Sequence, residues 1–452
     1  MQHKLKIKLI SPKMSLRPMD SEFKRRMSPS LALVTIASLT PQPHEVYIED
    51  ENLRTLDTLD SPDLVGISVN VDTAYRAFDI AEEYRNRGIK VIFGGIHASA
   101  NPDDMLKHCD AVCIGESEHL WGTILDDVMN RKLQQKYYYQ GITDMTHYPL
   151  PQWSYISKKD YLYHNIVITS RGCPFKCEFC YNSCGYVQNI YRNRPIVSVL
   201  EDIKSLKNRQ IMFIDDNLIG NMAWLSEFLD ALIPLNIIWH GAVSTNLVKH
   251  PEIIQKMAKS GCRSLFIGFE SINIESISSV RKSQNKIKDY EVLVKILHDN
   301  AIMVNASLVF GFDYDTRETF DETLQWLIRN KIETMTSHIL TPYPGTVLYK
   351  RLLSENRIID FDLQKYNTSN VVFQPKRMSP AELRDGYLKM YNQFYSIRNI
   401  IKRKTEHQKL LAPYFMFNLG YRKFGKITSF IGKLGLMNQI GQLGRKLSYG
   451  LD

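Results

Sequence analysis

NIVITSRGCPFKCEFCYNSC, residues 165–184, runs from an apolar, β-branched segment directly into a loop that holds four cysteines. NIVITS reads as a buried strand: short, β-branched and ended by polar residues. Five more such segments follow at the spacing of βα units: RQIMFID (209–215), IIWHGAVS (237–244), RSLFIGFES (263–271), IMVNASLVFGF (302–312) and TSHILTP (336–342). Helical stretches such as VSVLEDIKSL, MAWLSEFLDAL, PEIIQKMAKSG and TRETFDETLQWLIRN separate them. Six units predict a partial (β/α)6 barrel of parallel strands, an architecture that builds its chemistry at the carboxyl ends of the strands. Cys173 lies three residues beyond the first strand, so the cysteine loop falls at that end.

Within the loop, Cys173, Cys177 and Cys180 follow the spacing C-x3-C-x2-C. That is close enough for three thiolates to reach three corners of one cubic [4Fe–4S] cluster, leaving the fourth iron free for a ligand. The same residues also admit a structural zinc knuckle with Cys184 as the fourth thiolate. Zinc sites usually pair two C-x2-C hooks, whereas here C-x3-C runs directly into C-x2-C, so the spacing favours the cluster and makes Cys184 a bystander. The other cysteines, Cys109, Cys113 and Cys262, are scattered. An odd total of seven argues against a disulfide framework and for a reducing compartment. With no run of 18 apolar residues and no signal-peptide core in MQHKLKIKLISPKM, the expectation is a cytoplasmic protein.

Upstream, KLKIKLI (4–10), HEVYIED (44–50), DLVGISV (63–69), KVIFGG (90–95) and DAVCIG (110–115) alternate with the helical stretches PSLALVTIASLT, AYRAFDIAEEYRNRG and ESEHLWGTILDDVM. This predicts a doubly wound α/β domain, flavodoxin-like or Rossmann-like, over residues 1–135. Ligands of such sheets sit beyond the carboxyl ends of the strands, near residues 70–73, 94–97 and 115–116. An aromatic stretch over 136–160 reads as a linker, the barrel as 161–375 and a helical, basic extension as 376–452.

Charge is distributed unevenly. Residues 401–452 carry ten Lys or Arg against Glu406 and Asp452, a net +8 of the chain's +9. The body is therefore nearly neutral and has no broad basic face for DNA. The tail mixes aromatic and aliphatic residues with Lys and Arg, which suits either a membrane interface or short helices covering the open side of the barrel.

On these residues the chain resembles the radical S-adenosylmethionine (SAM) superfamily: C-x3-C-x-aromatic-C is its signature, with Phe179 in the aromatic slot. IMFIDDNLIGN, FIGFES, LVFGFDYDT and LTPYPGT resemble the branch with an N-terminal cobalamin-binding domain, which includes the anaerobic magnesium-protoporphyrin cyclase and the hopanoid methylases. The resemblance spans roughly residues 1–400. It implies an oxygen-sensitive enzyme with a [4Fe–4S] cluster, SAM and cobalamin, an external electron donor such as flavodoxin or ferredoxin, and methylation of an unactivated carbon in a hydrophobic small molecule, lipid or tetrapyrrole. Cyclisation or rearrangement is the rival within the class, RNA modification a further one, and a zinc-stapled binding protein the non-enzymatic one. Peripheral contact with the inner face of the membrane through the tail goes with such substrates.

The resemblance also nominates residues. Phe179 offers an apolar face to adenine and Glu270 a carboxylate to the ribose, unless Glu270 forms a salt bridge to a neighbouring helix. Ser244 and Asn246 would hold the amino-acid end of SAM, or simply form a loop. Asp215 and Asp216 fall where an amine-binding motif is expected, and are equally plausible helix caps. No Asp-x-His-x-x-Gly motif occurs, so cobalamin would bind without a protein nitrogen from that motif. Asn70, Thr73, Gly95, His97 and Glu116 are its expected contacts by strand-end placement, with Gly95 allowing close approach of a planar ring. A domain that keeps the shape and binds nothing is the alternative.

Overall fold

The computed structural model describes residues 4–20, 22–186, 190–282, 284–421, 434 and 436–449. Its N-terminal sheet comprises β1 (Lys6–Ser11), β2 (Glu45–Asp50), β3 (Leu64–Ser68), β4 (Lys90–Gly94), β5 (Ala111–Ile114) and β6 (Lys136–Tyr138). All pair in parallel in the order β2-β1-β3-β4-β5-β6, the flavodoxin-like winding. Alternation along each strand feeds two separate cores. Val65, Ile67, Val91 and Phe93 pack with Ala77, Ile80 and Tyr84 of helix Ala74–Arg85 on one face. Ile7, Leu9, Leu64 and Ile92 pack with Leu33, Trp121 and Ile124 on the other. β6 lies in the stretch expected as linker. Only Tyr137 of its three residues is buried, so no alternation long enough to distinguish it from a loop exists in the sequence.

The second sheet contains β7 (Ile166–Val167), β10 (Gln210–Phe213), β11 (Ile238–Val243), β12 (Cys262–Glu270), β13 (Met303–Phe310) and β14 (Thr334–Ile339). It is parallel throughout, in the order β14-β13-β12-β11-β10-β7, the expected six-stranded partial barrel. β7 is shorter than NIVITS because the Thr169 backbone N–H donates to the Asp215 carboxylate (3.0 Å) instead of continuing the ladder. Between β7 and β10, β8 (Ser170–Arg171) and β9 (Arg192–Asn193) form an antiparallel clip whose two arms enter and leave the cysteine loop.

Leu265 and Ile267 of β12 are fully covered, whereas Phe266 between them is 37% exposed. That alternation turns Phe266 into the barrel, where Met212 and Ala242 are also only partly covered. At the amino end of the strands, His240 meets Gln210 (2.9 Å) and Ser264 (2.7 Å), forming a polar floor.

Below that floor lie the last helices, Gln408–Tyr421 and Met437–Tyr449; the Tyr449 and Phe417 rings stand 5.8 and 6.5 Å from His240. The tail thus covers the barrel, as one of its two readings expected. Arg422, Lys423, Lys426 and Lys433 fall outside the described residues. Among the described residues no helix is long and apolar enough to cross a membrane.

Candidate active site

The cysteine loop is held from several sides. The Glu178 N–H donates to the Val280 carbonyl (3.2 Å), and the Glu178 carbonyl accepts from Leu348 N–H (2.9 Å). Ser183 donates to the Cys180 carbonyl (2.8 Å) and accepts from Val347 N–H (3.2 Å), while Tyr181 stacks on Tyr343 of the LTPYPGT stretch at 4.9 Å. Cys173, Cys177 and Cys180 are free thiols. Cys173 and Cys177 both act electrostatically on Cys180, whose thiol is pushed up to about 12 chiefly by burial. Cys184 follows the turn Tyr181–Ser183, where burial raises it to about 11 and Lys350 is the charge that acts on it. Among the described residues, no Cys, His, Asp or Glu side chains converge in threes as they would around a single ion. A cubane spreads its thiolates over separate iron corners, and three thiols of one short loop, with Cys173 and Cys177 acting on Cys180, suit it.

Glu270 ends β12 at a register shift, in a left-handed conformation (φ 61°) that a non-glycine residue adopts only where its surroundings impose it. Its buried carboxylate pairs with the ammonium of Lys282 and accepts from Ser307 Oγ at 3.4 Å. Gly268 makes room for this pair, because a Cβ there would stand 2.6 Å from Glu270 Oε1 and 2.9 Å from Lys282 Nζ. The salt-bridge alternative for Glu270 is therefore realised, at the mouth and beside Phe179, whose ring centre lies 5.8 Å from Lys282 Nζ.

The two aspartates part company. Asp215 is buried and accepts from Thr169 N–H, Thr169 Oγ1 (2.8 Å) and Ser170 Oγ, which ties β10 to the entry of the cysteine loop. Of its two expected uses, contact with SAM and a structural role, the protein's own donors supply the second. Asp216 instead opens into the cleft, where its charge acts on Cys173 and Cys180. Ser244 donates to Asn246 and accepts from Asn217 Nδ2 (3.2 Å), so three small polar side chains meet at the ends of β10 and β11. Sequence reasoning missed Asn217, Lys282 and Gln284, the last 3.8 Å from Cys177 Sγ. FIDDN carried a signal for Asn217; RKSQN reads as an ordinary solvated run.

In the N-terminal domain, Gly95 has φ 95° and its missing Cβ would stand 2.9 Å from Val69 N and O. Thr73 is buried and its hydroxyl meets the Asn70 N–H and carbonyl, both at 3.1 Å, a structural use. His97 is buried, with burial depressing its pKa to about 4, beside a cavity of about 280 Å³ shared with Asn101, Pro344 and Tyr349. Glu116 is engaged with Arg192 (2.5 Å) and Arg171 (3.3 Å), and Glu118 also pairs with Arg171. Both arms of the clip are thereby fastened to the loop after β5. The carboxyl ends of the two sheets face each other across these contacts, and the glycine turn with its open neighbour Gly94 suits a planar cofactor there.

Comparison with known proteins finds the same two domains in the same order. The radical SAM superfamily pattern matches residues 167–327, the B12-binding domain residues 28–124, and a domain of unknown function, DUF4070, residues 346–434. Bacteriochlorophyllide d C-8(2)-methyltransferase of Chlorobaculum tepidum is 30% identical over 87% of this chain and 91% of its own length. The C-12(1)-methyltransferase of the same organism is 29% identical over 83% and 85%. The structure of the radical SAM methyltransferase TsrM from Kitasatospora setae, with cobalamin and a [4Fe–4S] cluster bound, superposes with a TM-score of 0.69 over 98% of this chain and 99% of that one, at 15% identity. With its thiol loop at the barrel mouth and an α/β domain clamped against it, the chain belongs to the radical SAM superfamily, in the group that carries a B12-binding domain and works with a [4Fe–4S] cluster, SAM and cobalamin.

Proposed function

We propose that this protein is a C-methyltransferase acting on an unactivated carbon of a hydrophobic small molecule, a tetrapyrrole or a lipid. The observation that carries the proposal is the clamp between the domains: Glu116 and Glu118 hold Arg171 and Arg192 on either side of the three thiols. When bound, the cluster and SAM supply a 5′-deoxyadenosyl radical, and cobalamin supplies the methyl group. The chain's own residues orient and enclose. Cys173, Cys177 and Cys180 hold the cluster; Phe179 lies against adenine; Glu270, preset by Lys282, accepts from the ribose; Asp216, Ser244 and Asn246 hold the amino-acid end. Gly95 and Asn70 meet the corrin, while Thr73, His97 and Glu116, already engaged or enclosed, shape its loops. Phe266, Met212 and Ile214 present apolar surface inside the mouth, which supports a hydrophobic substrate. The electron comes from flavodoxin or ferredoxin, and the protein works in the cytoplasm at the inner face of the membrane.

The test is anaerobic reconstitution with iron and sulfide, absorbance with and without hydroxocobalamin, and assay of 5′-deoxyadenosine from SAM. Replacing Cys173, Cys177 or Cys180 with Ala should remove the cluster and SAM cleavage, and Cys184→Ala should preserve both. Stoichiometric zinc without iron in air-free protein, or loss of the cluster in Cys184→Ala, would refute the reading.

A further inference from the structure

One side of the C-terminal helices is fixed to the barrel. Tyr414 and Asn418 of helix Gln408–Tyr421 are buried, with Asn418 Nδ2 donating to the Glu333 carbonyl (3.0 Å). Arg403 is enclosed, donating to the carbonyls of Glu333 (2.9 Å) and Phe394 (3.0 Å). Arg445 of helix Met437–Tyr449 donates to the Leu162 carbonyl (3.4 Å). The other side carries apolar side chains that, among the described residues, have no such hydrogen-bonded anchor and stay exposed. Phe415, Met416 and Leu419 are exposed on the first helix, and Leu443 and Leu447, each 56% exposed, lie one turn apart on the second. Met416 reaches the second helix at Gly444, so the two sets flank one seam.

Charge identifies what covers this face. Lys409 on the first helix and Lys446 on the second are exposed, as are Lys402 and Lys404 just before them, within the segment that holds a net +8. A second copy docked by the same face would bring two such positive tails together, which repel. An anionic lipid bilayer presents negative charge and apolar depth together. We infer that the outer face of these two helices docks on an anionic membrane surface. The inference rests on the reading that the enzyme works at the inner face of the membrane, and adds the residues and the orientation. The docked face lies under His240, at the amino ends of the barrel strands, opposite the cysteine loop. Docking therefore anchors the enzyme with its mouth turned away from the lipid; it does not feed substrate.

The experiment sediments the full-length protein with phosphatidylcholine vesicles and with vesicles that also contain phosphatidylglycerol. Binding is expected only to the second kind, weakening as salt rises. The double variant Leu443→Asn/Leu447→Asn, and separately Lys446→Glu, should weaken it about tenfold or more, whereas Leu59→Asn, an exposed apolar change in the other domain, should leave it intact. 5′-Deoxyadenosine formation by the double variant should equal that of the unaltered protein, which separates a failed anchor from a failed enzyme. Absence of binding to phosphatidylglycerol vesicles, equal binding to both kinds, or a dimer dissolved by the same substitutions would overturn the inference.

Discussion

Lys282→Met removes the ammonium paired with the buried carboxylate of Glu270, a residue whose backbone is already in an unfavourable region. Ser307, at 3.4 Å, then remains as its hydrogen-bond donor. Removing one member of a buried ion pair typically costs about 3–5 kcal/mol, because the survivor stays desolvated and uncompensated. A neutral pair of similar volume avoids that penalty, so Lys282→Met/Glu270→Gln should recover most of the loss, by about 2–3 kcal/mol. The exposed pair Lys295–Asp299, at 2.7 Å, is the control: Lys295→Met should cost less than about 0.5 kcal/mol. Urea unfolding of the cluster-free protein under argon, followed by circular dichroism, measures all four. The reasoning fails if Lys282→Met lies within about 1 kcal/mol of the unaltered protein or if the double variant is no more stable than the single one.

Gly95→Ala should destabilise the N-terminal domain by about 1–3 kcal/mol and reduce the cobalamin retained through gel filtration, because the new Cβ would press on the Val69 backbone at a positive φ. Arg403→Met strips donors from the Ile332, Glu333 and Phe394 carbonyls; it should cost about 2–4 kcal/mol and speed proteolysis within 408–421. Burial raises Asp315 from 3.8 to about 6, although Ser276 Oγ, Gly311 N–H and Phe312 N–H donate to it. The folded protein thus holds a proton that the unfolded chain has released. Stability from this group is present below about pH 4, falls by about 3 kcal/mol as pH rises to about 6, and is level above. Asp315→Asn should flatten that part of the stability profile, read from urea midpoints across the range.

The strands and helices were legible because their periodicity survives at segment length, and the cysteine spacing because cluster chemistry needs thiols within one short loop. β6 was too short to show any period. Asp215 illustrates the limit for sites. Adjacent aspartates look alike in FIDDN, but one points back at Thr169 and Ser170 while the other opens into the cleft, a distinction set by alternate directions at a strand end. Lys282 was illegible for a related reason: a lysine in a polar run is normally solvated, and only the fold carries it twelve residues back to Glu270.

From its order of residues alone, this chain determines two parallel α/β units, a three-thiol loop at a strand's carboxyl end and a basic, apolar tail, because hydrophobic period and short-range spacing are local properties. Which carboxylates remain available, how Glu116 and Glu118 fasten one domain to the other's cysteine loop, and which side of the tail is left bare were decided by tertiary structure. Those outcomes depend on burial and on pairings across tens to hundreds of residues, where desolvation permits a charge to stay only beside a partner that the linear sequence does not name.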